Sequence, residues 1–299
     1  MTLYAFIGAL ETGLVFALVA LGSYLTFRVL DFPDLTIEGS FPLGGAVAAK
    51  LMVVGVDRWS ASLAGAAAGC VAGLVTAFLN IRLRILHILA GILTAIALYS
   101  VNLRIMAGPN VGLLNVDTVF SFGERFGIPS QYAPIVVLLV VVIIAKIALD
   151  IFLSTGFGLA MRASGANPRM AQANGVNVDR MVTAGRTIAN GLTGFAGALF
   201  AQMLGAADVS MGIGVIVVAL AAVIGGTALM PSRLVPVLTL ACILGSILYR
   251  LAIALALNSN FIGLNASDVN LVTAILVAIA LFAPGRKFGF LKRSPGVTR

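Results

Sequence analysis

Few side chains in this chain could take part in catalysis or bind a metal ion. The 299 residues include one histidine, His87, and two cysteines, Cys70 and Cys242, which lie in or beside apolar segments. A metal site needs clustered ligands, and a hydrolytic triad needs a nucleophile, a base and an acid that orients the base. These residues meet neither requirement, and the cysteines have no paired spacing. The sequence therefore predicts no catalytic residue, no metal site and no disulfide.

Polar residues are concentrated in one stretch near the middle of the chain, MRASGANPRMAQANGVNVDRM, residues 161–181. Asn167 followed by Pro168 predicts a helix start, because an asparagine side chain can cap free amides and proline suits the first helical position. Gly175 suits the left-handed conformation that closes a helix. Together these residues predict a helix of about seven residues, roughly 10 Å long.

Such a short helix is not stable alone in water, so neighbouring helices or a partner protein must hold it. After it, Asn177 or Asp179 can begin the next helix, with negative charge near the positive end of the helix dipole. The residues alone leave two alternatives open. The stretch is either a small surface that fits a cleft in a partner, or an ordinary loop that folds into one helical turn.

The composition of the chain determines where these residues must lie. Hydrophobic residues make up 60% of the chain and charged residues 10%, with a mean hydropathy of +1.09. A soluble domain carries about 25% charged residues. Several apolar windows match the length of a membrane-spanning helix, and the alternation typical of a membrane β-barrel is missing. The predicted fold is an all-α, polytopic transmembrane helical bundle.

We predict about nine membrane segments. They are residues 3–27, 40–56, 62–80, 86–106, 134–153, 182–204, 213–230, 235–257 and 268–284. The second and seventh are short for a full span and are predicted to be broken or partly re-entrant. The membrane domain covers residues 1–284, with the polar segment 156–181 in the cytoplasm, and residues 285–299 form a basic cytoplasmic tail.

The distribution of positive charge predicts the orientation. With the polar segment in the cytoplasm, fourteen of the 19 lysines and arginines lie on the inner side. Cytoplasmic loops of membrane proteins carry such an excess, so the N-terminus is predicted outside and the C-terminus inside. The net charge of +8 therefore indicates topology rather than nucleic-acid binding. The longest outer connection, residues 108–134, is predicted to form a lid or a docking surface.

The polar segment resembles the coupling segment of ABC importer permeases of the ribose and branched-chain amino acid type. In that family a Gly-x-Asn-x-x-x-Ala core is followed by Gly-[Ile/Val]-x-Val. The matching residues here are Gly165, Asn167, Ala171, Gly175, Val176 and Val178. The resemblance covers almost the whole chain, including residues 18–49, 90–110 and 218–230. It is strongest to the branch described as tryptophan or tyrosine, or otherwise uncharacterised, ABC permeases.

The resemblance implies a permease subunit of an importer in the bacterial inner membrane. The segment would be a coupling helix that docks into a cytoplasmic ABC ATPase, and the residues expected to form it are Arg162, Gly165, Asn167, Pro168, Arg169, Ala171 and Gly175. The chain has no G-x-x-x-x-G-K-[ST] sequence, so ATP is expected on the partner, with no cofactor here. A second copy or a sister permease, an extracytoplasmic solute-binding protein and membrane lipid are the other expected partners. An aromatic or related amino acid is the expected solute.

The acidic stretch LDFPDLTIEGSF, residues 30–41, has two possible arrangements. Its acids are solvated loop residues if it lies at the inner surface. If it enters the membrane as a broken helix, as the resemblance implies, Thr36, Glu38 and Ser40 line the translocation pathway, because buried carboxylates normally face a cavity or a partner. Asn102 and Asn190, inside other segments, are further candidates for the pathway.

Arg104 and Arg250 lie toward the predicted outer face. Each could extend to lipid headgroups or pair with an acid. Alternatively, they dock an acidic patch of the binding protein or attract a solute carboxylate.

Small residues predict close helix contacts. Gly65, Gly69 and Gly73 follow a four-residue spacing that lines one helix face, and a similar ridge surrounds Gly194. The glycine pair at 225 and 226 predicts either a break in the helix or a close crossing.

A self-sufficient secondary transporter or channel is the alternative function. Such proteins commonly contain internal repeats or relays of acids inside their spans. The few acids and the lack of a clear repeat favour the permease subunit.

Overall fold

The computed structural model describes residues 3–114, 116–121, 129 and 131–258. The predicted segment 268–284, the predicted tail 285–299 and part of the connection 108–134 lie outside the described residues. The elements in chain order are α1 (Leu3–Ser23), a π-helical turn that continues it (Tyr24–Val29), α2 (Ile37–Val53), α3 (Arg58–Arg82), α4 (His87–Met106), β1 (Asn110–Gly112), α5 (Ala133–Ser154), α6 (Gly156–Ala166), α7 (Pro168–Ala173), α8 (Val178–Leu204), β2 (Ala206–Asp208), a 3-10 turn (Val209–Gly212), α9 (Val215–Leu229) and α10 (Val235–Asn258).

Six helical stretches are long and apolar enough to cross a membrane. They are Leu3–Val29, Arg58–Arg82, His87–Met106, Ala133–Ser154, Val209–Leu229 and Val235–Ala256. Two other helices coincide with predicted segments but lie outside this group: α2 has only 17 residues, and α8, with 27, is more polar. The prediction of a polytopic helical membrane protein is therefore confirmed.

Glycines let α3 pack closely against α8. A Cβ atom on Gly73 would lie 2.5 Å from the carbonyl oxygen of Arg186, and one on Gly194 would lie 2.6 Å from that of Gly65. Real Cβ atoms do not approach this closely, so glycine is required for the observed separation. The predicted packing role of both glycine ridges is confirmed.

The paired glycines of α9 mark a close crossing. The helix runs without a break from Val215 to Leu229. A Cβ atom on Gly226 would overlap the backbone of Ala241 in α10, whereas one on Gly225 would meet nothing within 4 Å. Only the second glycine is therefore required by packing.

A short ribbon, which the sequence pattern did not predict, connects two helix ends. Strands β1 and β2 pair antiparallel, with Val111 opposite Ala207. They follow α4 and α8, and this end of the bundle is here called the ribbon end. The opposite end, where α8 begins after α7, is here called the α7 end. The nearby backbone N–H of Val119 donates to Gln202 Oε1 of α8 at 2.9 Å. The described part of the connection 108–134 is thus attached to the helices.

Candidate functional site

Helix α7 is formed by local signals. Asn167 precedes it and its side-chain oxygen accepts a hydrogen bond from the Met170 N–H at 3.1 Å, while Pro168 takes the first helical position. Gly175 has a φ of +83° and closes the turn. The predicted short helix is confirmed, with six residues. Asn177 then caps α8 by accepting from the Arg180 N–H at 3.0 Å.

Helix α7 protrudes from the bundle. Only Ala171 among its residues is buried, at 2% exposure, while Met170 is 58% exposed and Arg169 is also exposed. The support comes from α6, where a Cβ atom on Gly165 would overlap the carbonyl of Val29. Among the other candidate coupling residues, Arg162 of α6 is half-buried. The result is an exposed turn on a closely packed base.

An open groove of about 730 Å³ lies between α3 and the first half of α8. Its walls come from the α7 ends of α3 and α8, and its polar lining residues include Arg82, Asp179 and Arg180. The groove combines charged, polar and apolar side chains at the end of the bundle where α8 begins.

A second group of polar residues lies inside the bundle, where α2 begins. The Asp34 carboxylate is 1% exposed and accepts a hydrogen bond from Asn190 Nδ2 at 2.7 Å. Ser40 donates to the other end of the same amide, Asn190 Oδ1, at 2.7 Å. Asp34 is therefore not a solvated loop residue, although Asp31 is exposed. The chain enters the bundle before α2 starts, as the broken-helix interpretation requires.

Threonine hydroxyls extend this group to α3 and α4. Thr36 Oγ1 lies 2.8 Å from Thr76 Oγ1, which donates to Thr94 Oγ1 at 2.9 Å. All three side chains are buried, at 0 to 3% exposure. Because each hydroxyl has a partner, these groups avoid the free-energy cost of unsatisfied buried polar atoms.

A buried arginine completes the group, here called the polar network. Arg186 is fully buried; its Nη1 donates to the Thr76 carbonyl at 3.3 Å and its Nη2 lies 2.8 Å from His87 Nδ1. The guanidinium also lies 4.6 Å from the centre of the Phe32 ring, on which His87 stacks. The network comprises Asp34, Thr36, Ser40, Thr76, His87, Thr94, Arg186 and Asn190.

Sequence reasoning missed the roles of Asp34 and His87. The available signal was the spacing of Arg186 and Asn190, four residues apart and hence on one face of α8. Two polar residues on one face of a membrane helix call for partners. The identity of those partners depends on the tertiary fold.

Glu38 lies near the polar network but differs from its members. Its side chain is half-buried and lies close to the Gly214 backbone N–H, immediately before α9. A Cβ atom on Gly212 would meet Pro42 and the Glu38 carbonyl, so the segment before α9 runs along α2. Helices α2 and α9 therefore both begin inside the bundle, next to Glu38.

Comparison with known proteins identifies the family. The model of the branched-chain amino acid transport system permease component matches residues 5–283. The chain belongs to this permease family. It is 38% identical to the tyrosine transport system permease protein of Clostridioides difficile (strain R20291), over 96% of this chain and 94% of that one. It is 26% identical to the ribose import permease protein RbsC of Escherichia coli K12, over 91% and 82%. No solved structure matches the chain.

The permease is thus a component of ABC-type transport and a multi-pass protein of the bacterial inner membrane. Its remaining candidate residues are dispersed. Asn102 is fully buried on α4, outside the polar network, and neither of its amide atoms has a partner among the described residues. Arg104, near the end of α4, is exposed. Arg250 lies with its guanidinium carbon 4.0 Å from the centre of the Phe16 ring, between α10 and α1.

Among the described residues of the permease, no group of three or more histidine, cysteine, aspartate or glutamate side chains could hold a metal ion. The chemistry that the described arrangement can support is hydrogen bonding and charge recognition inside the bundle, together with protein contact at α7.

Proposed function

We propose that this permease forms the translocation pathway of an ABC importer for an amino acid, aromatic or related, and that separate ATPase subunits drive it. The observation that carries the proposal is α7, a capped helix of six residues that is exposed on every side except at Ala171. A turn this short gains little from its own hydrogen bonds and is held by a close-packed base. Such a projection suits docking into a cleft of a second protein.

In this mechanism α7 transmits movement of the ATPases to the membrane helices. Gly165 lets α6 pack against the backbone of Val29, at the end of the first helical stretch. Asn177, directly after the α7 turn, caps α8. Further along α8, Arg186 and Asn190 contact the polar network at the start of α2. ATP would bias the permease between two conformations because the ATPases bind those conformations with different affinities.

The proposal includes the topology and the partners expected from the sequence. Nine segments, with the N-terminus outside, put α7 in the cytoplasm and the ribbon end outside. An extracytoplasmic binding protein would then dock near Arg104 and Arg250, and a second copy or a sister permease would complete the pore. ATP would bind only to the ATPase, and this chain would need no cofactor. Lipid would surround the pore, and nucleic acid would not be a partner.

The proposed pathway residues remain Thr36, Glu38, Ser40, Asn102 and Asn190. Thr36, Ser40 and Asn190 bond to one another or to neighbouring helices, which supports a role in shaping the pathway wall. Glu38, the half-exposed member, is the side chain best placed to meet a solute. The likeness to a tyrosine permease supports an amino acid as that solute.

Uptake by reconstituted protein tests the proposal. The permease would be placed in liposomes with its ATPase and binding protein, and accumulation of radiolabelled L-tyrosine, L-tryptophan, L-leucine and D-ribose would be measured. We expect uptake of an amino acid that requires ATP and all three proteins. Accumulation by the permease alone, without ATP, would instead support the secondary-transporter alternative.

A further inference from the structure

The depth of Glu38 in the bundle follows from its neighbours. Asn190 lies 12 residues after Val178, the first residue of α8, which is about 18 Å along a helix of 27 residues. Ser40 bonds to Asn190 at 2.7 Å, and Glu38 precedes Ser40 by two residues. Glu38 is therefore close to half-way between the α7 end and the ribbon end.

The carboxylate of Glu38 has unused hydrogen-bonding capacity. A carboxylate has two oxygens and about four acceptor sites. The Gly214 backbone N–H lies close to the group, and no lysine, arginine or histidine in the described part of the chain pairs with it. Asp34, by contrast, is closed off by Asn190 and the Thr36 N–H. The Asp34 carboxylate is thus buried with both oxygens hydrogen-bonded, whereas the Glu38 carboxylate still has free acceptor sites.

The open side of Glu38 must meet something polar. A carboxylate facing lipid near the middle of the membrane is costly, so such groups face a water-filled cavity, a charge or another protein. The partner that best complements a carboxylate with free acceptor sites is a cation with several donors. An ammonium group has three N–H donors and no acceptor.

We propose that Glu38 recognises the ammonium group of the transported solute, so that the pathway selects amino acids over neutral solutes such as sugars. This inference rests on the proposed function, because it assigns the solute class to the same pathway. The carboxylate lies between the beginnings of α2 and α9, close to the Gly214 N–H. The polar network supports the start of α2 from the opposite side.

Three variants in the reconstituted importer test this assignment. Glu38→Gln removes the charge but keeps the shape, Glu38→Asp keeps the charge, and Glu11→Gln is the control, since Glu11 is another half-buried carboxylate, in α1. We expect Glu38→Gln to raise the KM for the amino acid by about tenfold or more. Glu38→Asp should retain most of the transport, and Glu11→Gln should leave the KM unchanged. Size-exclusion profiles establish that each variant assembles.

The outcomes separate this inference from the proposed function. Unchanged amino-acid uptake by Glu38→Gln overturns the role of Glu38 but leaves the ATP-driven importer intact. ATP-driven uptake of D-ribose without any amino acid also overturns it. Uptake without ATP contradicts the proposed function, while the effect of Glu38→Gln on the KM still decides the inference.

A labelling experiment needs no transport. Glu38→Cys is made in a chain in which Cys70 and Cys242 are replaced by alanine, and a water-soluble maleimide is added to the assembled complex. We expect labelling that the amino acid slows. A cysteine at position 38 that does not react contradicts an open, water-facing carboxylate and overturns the inference even when no uptake is measured.

Discussion

Helix α7 and the polar network lie at two depths along α8 and differ in how they are held. The contacts that shape α7 are local: Asn167 caps a residue three positions away. Those of the network join distant parts of the chain, and Asp34 and Asn190 are 156 positions apart. The side chains of α7 are mostly exposed, while those of the network, apart from the exposed His87, have 0 to 3% exposure. A surface for a partner can thus be formed by local signals, whereas a polar interior requires the whole bundle.

The same difference predicts what substitutions will do. A buried polar group that loses its partner keeps its desolvation cost, so changes in the network should reduce stability. Exposed positions away from such groups have small effects on stability. Changes in α7 should therefore act on transport.

The largest effect is expected from Asn190→Ala. The substitution removes the partner of the buried Asp34 and of Ser40, and we expect a loss of about 3 kcal/mol in the free energy of unfolding. Chemical unfolding in detergent measures it. Asn174→Ala is the control, because the side chain of this exposed asparagine donates to the Met170 carbonyl and contacts no buried polar group among the described residues. Equal losses in the two variants would contradict the distinction between the regions.

The glycine pair of α9 provides a matched comparison within one helix. Gly226→Ala introduces a methyl group against the Ala241 backbone, and we expect a loss of about 1 to 3 kcal/mol from overpacking. Gly225→Ala meets open space and should be neutral or stabilise by up to about 1 kcal/mol. Thermal unfolding of both variants measures this difference in stability. If Gly225→Ala destabilised more than Gly226→Ala, the assigned α9–α10 contact would be wrong.

At α7, Met170→Glu should reduce ATP-driven uptake about tenfold, equivalent to about 1.4 kcal/mol in docking. Its effect on the free energy of unfolding should be within about 0.5 kcal/mol, since the side chain is exposed. Met170→Leu, which keeps an apolar side chain of similar size at the same exposed position, is the control. Full uptake by the Met170→Glu variant would argue against docking through α7.

The smallest effect is expected from Asn167→Ala, which removes the cap of α7. We expect the turn to lose about 1 kcal/mol, and Asn167→Gly to lose only a few tenths. Hydrogen exchange of the Met170 amide should become about fivefold faster in the alanine variant. Unchanged exchange would show that tertiary contacts, rather than the cap, hold the turn.

Much of the bundle could be predicted because its signals are local. Apolar runs indicated the helices, and Asn167, Pro168 and Gly175 determined α7 almost to the residue. The start of α2 was less accurate: the helix begins at Ile37, before the predicted segment 40–56, because first turns accept polar residues that an apolar window leaves out. The ribbon and the pairing of Asp34 with Asn190 depend on contacts between distant residues, which spacing alone does not encode.

The central claim is that α7 is the site where the ATPase is bound. Site-specific photo-cross-linking tests it directly, with a benzophenone amino acid at position 172 of exposed α7 or at position 104 of the ribbon end, in the complex with its ATPase. We predict a permease–ATPase adduct from position 172 and none from position 104. No adduct from position 172 in an assembled complex, or an adduct from position 104 instead, would contradict the claim.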